Sequence, residues 1–168
     1  MKIETLQDLF LDELRDLYDA EKQLVKALPK MAAASSSIEL RQAFENHLVE
    51  TEAHVERLET IFSEMDAKSG GETCDAMKGL IKEGDKLASN VDESPLRDAG
   101  LIGAGNRVEH YEIAAYGTAR TFAEKLGLSN AVELLEATLE EEEEADRKLT
   151  EIAENIVNDN ALEIGAKL

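Results

Sequence analysis

The chain has 168 residues, of which 43% are hydrophobic and 33% charged, with a formal net charge of −19 and a single cysteine. This length suits one domain with a substantial core, whereas the excess of acids disfavours binding to nucleic acids or anionic membranes, and one cysteine allows neither a disulfide framework nor a thiolate metal cage. Because the N-terminus lacks the pattern of a signal peptide and no apolar run is long enough to span a bilayer, we expect a soluble, cytoplasmic protein.

The first predicted helix covers residues 3–28 and carries an acid on its apolar side. Only two prolines and abundant Ala, Leu, Glu and Lys favour helices here and throughout the chain. The hydrophobic stripe recurs at helical spacing and consists of Ile3, Leu6, Phe10, Leu14, Leu17, Leu24 and Leu28. Glu21 falls inside this stripe. Pro29 is expected to end or kink the helix because proline has no amide donor.

The second predicted helix begins at a capping box at 36–39 and runs to about residue 65. His47 and His54 lie on its apolar face, and Glu50 sits at the edge of that face, one turn before His54. An inward histidine is more often a hydrogen-bonded core residue than a metal ligand. The neighbouring acid therefore makes His54 the stronger candidate ligand.

Residues 73–90 show a weaker apolar pattern, which predicts a short helix on a long crossover. Cys74, on this crossover, is expected to be an ordinary surface thiol. The third long helix is predicted over about 95–126, with Ser94 as its N-cap and Pro95 at its first position.

The third long helix carries two acids, Glu109 and Glu112, in the middle of its apolar face. At about 100° per residue they share one side with Ile102, Ile113 and Tyr116. A carboxylate that faces a core destabilises the fold unless another group compensates its charge. These two residues therefore require partners elsewhere in the chain.

The fourth long helix is predicted to follow Gly127, which stops the third, and to be capped by Ser129 or Asn130. After Val157 the polar residues at 158–160 signal its end. We therefore predict one domain over residues 1–157 and a C-terminal tail over 158–168.

An acidic run occupies residues 140–144 of the fourth helix, and such a run is usually a solvated face. Helical geometry nevertheless points Glu142 inward, with Asp146 one turn further along the same face. Each of the four long helices thus carries inward polar residues at mid-length. The candidate metal ligands are Glu21, Glu50, His54, Glu109, Glu112, Glu142 and Asp146.

A pair of divalent cations explains such a cluster. Several carboxylates cannot all stay ionised in a core without compensating positive charge. Oxygen donors combined with imidazole suit iron or manganese. Zinc remains possible, although a closed structural zinc site is disfavoured without cysteine ligands. The sequence therefore predicts two divalent metal ions, iron or manganese before others.

The pattern resembles the ferritin-like di-metal arrangement, in which two helices each give one Glu and two others each give Glu-x-x-His. More narrowly, the chain is similar to the YciE/YciF family of bacterial stress-associated ferritin-like proteins over segments 12–24, 47–62, 108–119 and 138–146. This resemblance implies an all-α, ferritin-like four-helix bundle in up-down-down-up order, with a short extra helix on a long crossover between helices two and three. It also implies a homodimer in the bacterial cytoplasm.

The chain departs from this motif at two positions. Helix two has Thr51 where the motif places glutamate, and helix four has Ala145 where it places histidine. Acids lie close by on the same helix faces, at Glu50 and Asp146. Since residues four apart share a face, metal binding is compatible with these departures, at altered ligand angles.

Two functions follow as hypotheses. In the first, the metal site consumes a small oxidant, oxygen or peroxide, or handles iron under stress. Glu109 and Glu112 resemble the doubled glutamate of rubrerythrin-like peroxidases, without a cysteine-based iron site to deliver electrons. In the second, the chain is a homodimeric structural or interaction module whose inward polar groups only form hydrogen bonds. Iron storage in a large shell is disfavoured, because neither the crossover nor the short tail offers a means of building one.

Overall fold

The computed structural model describes residues 2–165, and this part of the chain is α-helical with short connections and no strand. The helices are α1 Leu6–Ala34, α2 Ile38–Glu64, α3 Asp75–Asn90, α4 Pro95–Leu126, α5 Ser129–Ile152 and α6 Asn158–Gly165, with a π-helical turn at Ala153–Val157 between the last two. Among the described residues no helix is both long and apolar enough to cross a membrane. The predicted all-α class is confirmed.

Two apolar clusters fix the order of the bundle. One cluster joins the second half of α1, the first halves of α2 and α4, and the second half of α5. Its members include Leu24, Leu28, Leu40, Phe44, Leu101, Val108 and Leu149. The other cluster joins the opposite halves of the same helices. Its members include Phe10, Leu14, Leu58, Phe62, Ala119, Ala123 and Leu135.

Since each cluster takes opposite halves of α1 and α2, these helices run antiparallel, and α4 and α5 do likewise. Helices α1 and α5 run one way and α2 and α4 the other, which is the predicted up-down-down-up order. The crossover helix α3 packs on α1 and α4. The predicted four-helix bundle with a helix on its crossover is therefore confirmed.

The first helix does not end at Pro29, so the prediction of an end there is wrong, and the alternative of a kink stays a prediction. Pro29 lies inside α1, which continues to Ala34. Proline within a helix costs about 3 kcal/mol because one hydrogen bond is lost and the ring crowds the preceding turn. Leu28 and Ala32 are buried on either side of it, so packing against the bundle outweighs the local penalty.

The loop between α1 and α2 is held by Asp98 of α4. Its buried carboxylate accepts hydrogen bonds from the amides of Ser36 and Ser37, both at 2.8 Å, and from the Ser36 hydroxyl. The N-cap of α2 is consequently Ser37, whose hydroxyl accepts from the Leu40 amide, and the capping box predicted one residue earlier is wrong.

The ends of the later helices follow the predictions in part. Ser94 caps α4 as predicted, and Gly127 ends it with a φ of 72°, the left-handed conformation that glycine adopts without strain. The predicted side-chain cap of α5 is wrong. Its N-cap position is Leu128, which makes no capping side-chain hydrogen bond, and Ser129 is already helical.

The chain does not leave the helix at Asn158. Residues 153–157 form the π-helical turn, and α6 continues from Asn158 and packs on α4. The buried Val157 anchors this segment, which outweighs the weak helix preference of the following Asn and Asp. Of the predicted tail, only 166–168 lie outside the described residues, and the division at residue 157 stays a prediction.

Cys74 is buried and is not the surface thiol that the sequence suggested. Its Sγ caps α3 by accepting from the Met77 amide and lies 3.1 Å from the hydroxyl of Tyr111, which in turn donates to Asp16. The Cys74 amide donates to Asp19 at 2.8 Å. Burial raises the pKa of the thiol. The cysteine therefore ties the start of the crossover helix to α1 and α4.

Candidate metal centre

A layer of buried polar side chains separates the two apolar clusters at mid-height. On each long helix the apolar stripe is interrupted at this level and then resumes, so the polar groups of four helices meet. The layer consists of Glu21, His47, Thr51, His54, Glu109, Glu112, Thr138 and Glu142, each at most 5% exposed.

Two overlapping groups of ligand atoms form within this layer. In each group, one ligand atom per residue lies within 4.8 Å of the others. The first group is His47, Glu109, Glu112 and Glu142, and the second is Glu21, His54 and Glu142. Glu142 belongs to both: its Oε2 lies 3.4 Å from Nε2 of His47, and its Oε1 lies 3.1 Å from Nδ1 of His54. The Glu142 carboxylate therefore faces the two histidines of the two groups with one oxygen each.

The donor set fits cations, because many of its buried atoms make no well-aligned hydrogen bond and lie near one another, as His54 Nδ1 does at 3.1 Å from Glu142 Oε1. Among the described residues these atoms are Glu21 Oε2, His47 Nε2, His54 Nδ1, Glu109 Oε2 and both carboxylate oxygens of Glu112 and Glu142. A buried polar atom without a partner costs about 1–3 kcal/mol. Unpartnered atoms of one chemical kind, converging from four helices, are what a pair of hard or borderline divalent ions would satisfy.

The outer nitrogen of His54 is held by Glu141. Nε2 of His54 lies 2.8 Å from Oε2 of Glu141. The same carboxylate accepts hydrogen bonds from both terminal nitrogens of Arg57. The Arg57 guanidinium holds the pKa of Glu141 below its usual range. Because Glu141 is therefore a carboxylate, Nε2 donates to it, and Nδ1 is the ring nitrogen that faces the centre. The lone pair of Nδ1 becomes available to a cation once the ring is neutral.

His47 is oriented in the mirrored sense. Its Nδ1 lies 3.1 Å from Oε2 of Glu50, whose side chain is 44% exposed. Its other nitrogen, Nε2, faces Glu109 and Glu142, both at 3.4 Å. Each histidine is thus held from outside by a partly exposed glutamate and turns its remaining nitrogen to the centre.

The charges of the metal-free centre are balanced by protons. Burial alone would lower the pKa of His47, but Glu109 and Glu142 raise it to about 9. Burial likewise opposes the charged form of His54, but Glu142 raises its pKa to about 11. Burial raises the pKa of Glu142, yet the two imidazoles bring it below its usual range. Burial, with the neighbouring carboxylates, raises the pKa of Glu109 and Glu112 well above that range.

Glu21 has a hydrogen-bond donor within the layer. The Tyr116 hydroxyl donates to Oε1 of Glu21, and the His54 ring centroid lies 6.2 Å from that of Tyr116. Burial raises the pKa of Tyr116 well above its ordinary value. This phenol therefore stays protonated and orients Oε1 of Glu21. The other oxygen, Oε2, makes no hydrogen bond and is available to a metal ion.

Five of the seven predicted ligands come together in the two groups: Glu21, His54, Glu109, Glu112 and Glu142. The other two lie outside them. Glu50 contacts the outer nitrogen of His47, while Asp146 accepts from Asn106 at 2.7 Å and lies 3.3 Å from the exposed His110. That Glu50 and Asp146 are metal ligands stays a prediction.

Two participants were missed at the level of sequence. His47 belongs to the first group, and its place on the apolar stripe was the signal that could have identified it. Glu141 orients His54, but within a run of five glutamates nothing local distinguishes it. Its role becomes visible only through Arg57, which is on a different helix.

Replacing Glu141 by alanine is expected to weaken metal affinity by about 10–100-fold, the usual effect of losing a carboxylate that orients a ligating histidine. The measurement is competition with a chelator of known affinity, with iron(II) under argon or with manganese(II). Glu140→Ala removes an exposed acid from the same run and should leave the affinity unchanged. Equal affinities for the two variants would contradict this role of Glu141.

Comparison with known proteins supports the fold. Residues 5–162 match a family described as a domain of unknown function, DUF892. The protein YciF of Escherichia coli is 47% identical over 162 residues, which are 96% of this chain and 98% of that protein. A crystal structure of this E. coli stress protein gives a TM-score of 0.89 at 47% identity, covering 93% of this chain and 99% of the other.

Two further solved structures are similar. YcfI of Rhodopseudomonas palustris, described provisionally as a structural protein, is 42% identical with a TM-score of 0.86 over 89% of this chain and 95% of its own. A Xanthomonas campestris protein, 21% identical, has a TM-score of 0.76 over 98% of this chain and 100% of its own, and shares the fold.

Proposed function

This chain belongs to the DUF892 family, and from its buried polar layer we propose that it is a ferritin-like di-metal carboxylate protein that binds iron or manganese in the bundle core. We propose for it a stress-related role, either consuming a small oxidant or handling iron. The stress association comes from the E. coli relative, which is a stress protein and nearly half identical to this chain.

The observation that carries the proposal is the position of Glu142. Its two oxygens face the imidazoles of His47 and His54 separately. His47, Glu109 and Glu112 would complete one site, and Glu21 and His54 the other. A shared carboxylate between two such sites is the feature that distinguishes a pair of ions from one ion.

The residues around the site have separate tasks. Glu50 and Glu141 fix the ring orientations of the two histidines, and Tyr116 fixes Glu21. The apolar clusters above and below exclude water from the layer. Bound iron or manganese would supply one-electron redox chemistry toward oxygen or peroxide. The protons held by the imidazoles and by Glu109 and Glu112 would leave when the ions bind.

The test is the metal content of protein purified without chelators from medium supplemented with iron and manganese. Wild type should retain about two ions per chain, as the di-metal pattern requires. The double variant Glu109→Ala/Glu142→Ala should retain almost none, whereas Glu140→Ala/Glu143→Ala, which removes two exposed acids, should match wild type. A wild type with no more metal than the first double variant would overturn the proposal. Turnover of hydrogen peroxide by the loaded protein then separates oxidant consumption from iron handling.

A second candidate function is a homodimeric structural module without a metal. It is supported by the description of the R. palustris relative and by the ability of protonated Glu109 to donate a hydrogen bond to Glu142. In that case iron(II) or manganese(II) should leave the Tm of the wild type and of Glu142→Leu equally unchanged, and the leucine variant should be less stable at pH 7 because it removes the carboxylate that pairs with both imidazoles. Loss of metal-dependent stabilisation in this variant would instead favour the di-metal proposal.

A further inference from the structure

A recess of about 60 Å³ between α2 and α5 reaches from the surface to the first ligand group, which contains His47 and Glu109. Its floor is formed in part by His47 and Glu109, which are 5% and 2% exposed. Its rim carries Glu50, Glu144 and Lys148, and Ala145 forms part of its wall. The other members of the two ligand groups, Glu21, His54, Glu112 and Glu142, are 0% exposed.

The floor of the recess presents atoms that lack partners. Nε2 of His47 and Oε2 of Glu109 make no hydrogen bond although both are buried. An imidazole nitrogen beside a carboxylate oxygen suits a divalent cation. The overall charge of −19 also draws cations toward the surface.

The rim provides a carboxylate that reaches the floor. Glu144 is occupied by an ion pair with Arg147 on its own helix. Glu50, by contrast, is 44% exposed while its Oε2 lies 3.1 Å from Nδ1 of His47. Glu50 therefore touches solvent and a buried ligand at once, although it belongs to neither ligand group.

We propose that this recess is the route by which divalent cations enter the centre, with Glu50 as the transient ligand that passes them to His47 and Glu109. This inference rests on the proposed function. A transient ligand on the route lowers the barrier for entry and for exit alike. Removing the charge of this ligand while keeping its hydrogen bond to His47 should therefore slow both rates while changing the dissociation constant little, whereas loss of a resident ligand weakens binding.

The first test narrows the recess without touching a ligand. Ala145→Leu fills its wall, and Ala137→Leu makes the same change at another half-buried position of α5 outside the recess. Manganese(II) is mixed rapidly with metal-free protein, and free ion is followed with a fluorescent chelator. Ala145→Leu should slow uptake about tenfold, or about 1.4 kcal/mol in barrier, and reach the wild-type stoichiometry, while Ala137→Leu should take up metal at the wild-type rate.

The second test addresses Glu50. Glu50→Gln keeps an oxygen that can accept from His47 but removes the charge, and Glu143→Gln removes an exposed charge outside the recess. The first variant should slow both uptake and release about tenfold with a dissociation constant within about threefold of wild type, and the second should change neither rate.

The outcomes separate the two levels of the inference. Wild-type uptake rates in both Ala145→Leu and Glu50→Gln, in a protein that does bind manganese, would overturn the entry route and leave the proposed function intact. Lower stoichiometry in Glu50→Gln, or faster release with an unchanged uptake rate, would make Glu50 a resident ligand and overturn its transient role. A wild type that binds no manganese or iron would overturn the proposed function and the route with it.

Discussion

Replacing Glu142 by glutamine is expected to abolish the rise in Tm that iron(II) or manganese(II) gives the wild-type protein. Both ligand groups include Glu142, so one substitution removes a donor from each. A metal present at about a thousand times its dissociation constant stabilises the native state by about 4 kcal/mol. For a domain of this size that corresponds to a rise in Tm of roughly 8–16 °C, which the variant should lose.

The measurement is thermal unfolding followed by circular dichroism, with and without added metal. Glu143→Gln is the matched control, because it makes the same change at the next residue, which is exposed. That control should keep the full rise. A rise of wild-type size in Glu142→Gln would show that the Glu142 carboxylate does not join two metal sites.

The metal-free protein is expected to lose stability as the pH rises from about 6.5 to 9. The pKa of His47 is raised from 6.5 to about 9 and that of His54 from 6.5 to about 11. A group with a raised pKa in the folded state contributes stability that is complete below its unfolded pKa and is lost as the pH passes through its folded pKa. The raised pKa values of Glu109 and Glu112 act in the same direction.

Across this range the change attributable to His47 is about 3 kcal/mol, so the metal-free Tm should fall by roughly 6–12 °C through His47 alone, and His54 adds to the fall. Glu141 and Glu142 contribute no slope there, since their lowered pKa values lie far below it. Metal binding needs the neutral imidazoles and ionised carboxylates, so metal affinity should rise over the same range and the gap in Tm between loaded and metal-free protein should widen.

Unfolding curves at several pH values, with and without manganese(II), measure this gap directly. A pH indicator in weak buffer should also report about one or more protons released per ion bound at pH 7. Metal uptake without proton release, or a metal-free Tm that rises toward pH 9, would contradict the proton balance described for the centre.

The inward acids could be predicted because a charged residue on an apolar stripe is conspicuous in any helical projection. Glu21, Glu109, Glu112 and Glu142 each interrupt such a stripe, and all four are buried. Periodicity gives a direction from the helix axis but not the neighbour met in that direction. His47 was therefore passed over as a core histidine, although its Nε2 faces Glu109 and Glu142.

Residues at the edges of the helix faces were harder to place. Glu50 and Asp146 were grouped with the inward residues because positions four apart share a face. Small rotations of a helix decide whether an edge residue points in or out, and these rotations depend on packing with other helices. Two helix ends were predicted wrongly for a similar reason. Pro29 and Asn158 are local stop signals, whereas burial of Leu28 and Val157 is a property of the whole bundle.

The polar layer also affects how cooperatively the two ends of the bundle unfold. This layer divides the core, so the two apolar clusters pack separately at the two ends of the bundle. In the metal-free state they are joined through the charged and protonated side chains of the layer. A polar layer of this kind allows one end of the bundle to open locally with little loss of stability at the other end. Ions that crosslink the four helices there would join the two ends into one cooperative unit, so that amide protection would rise far from any ligand.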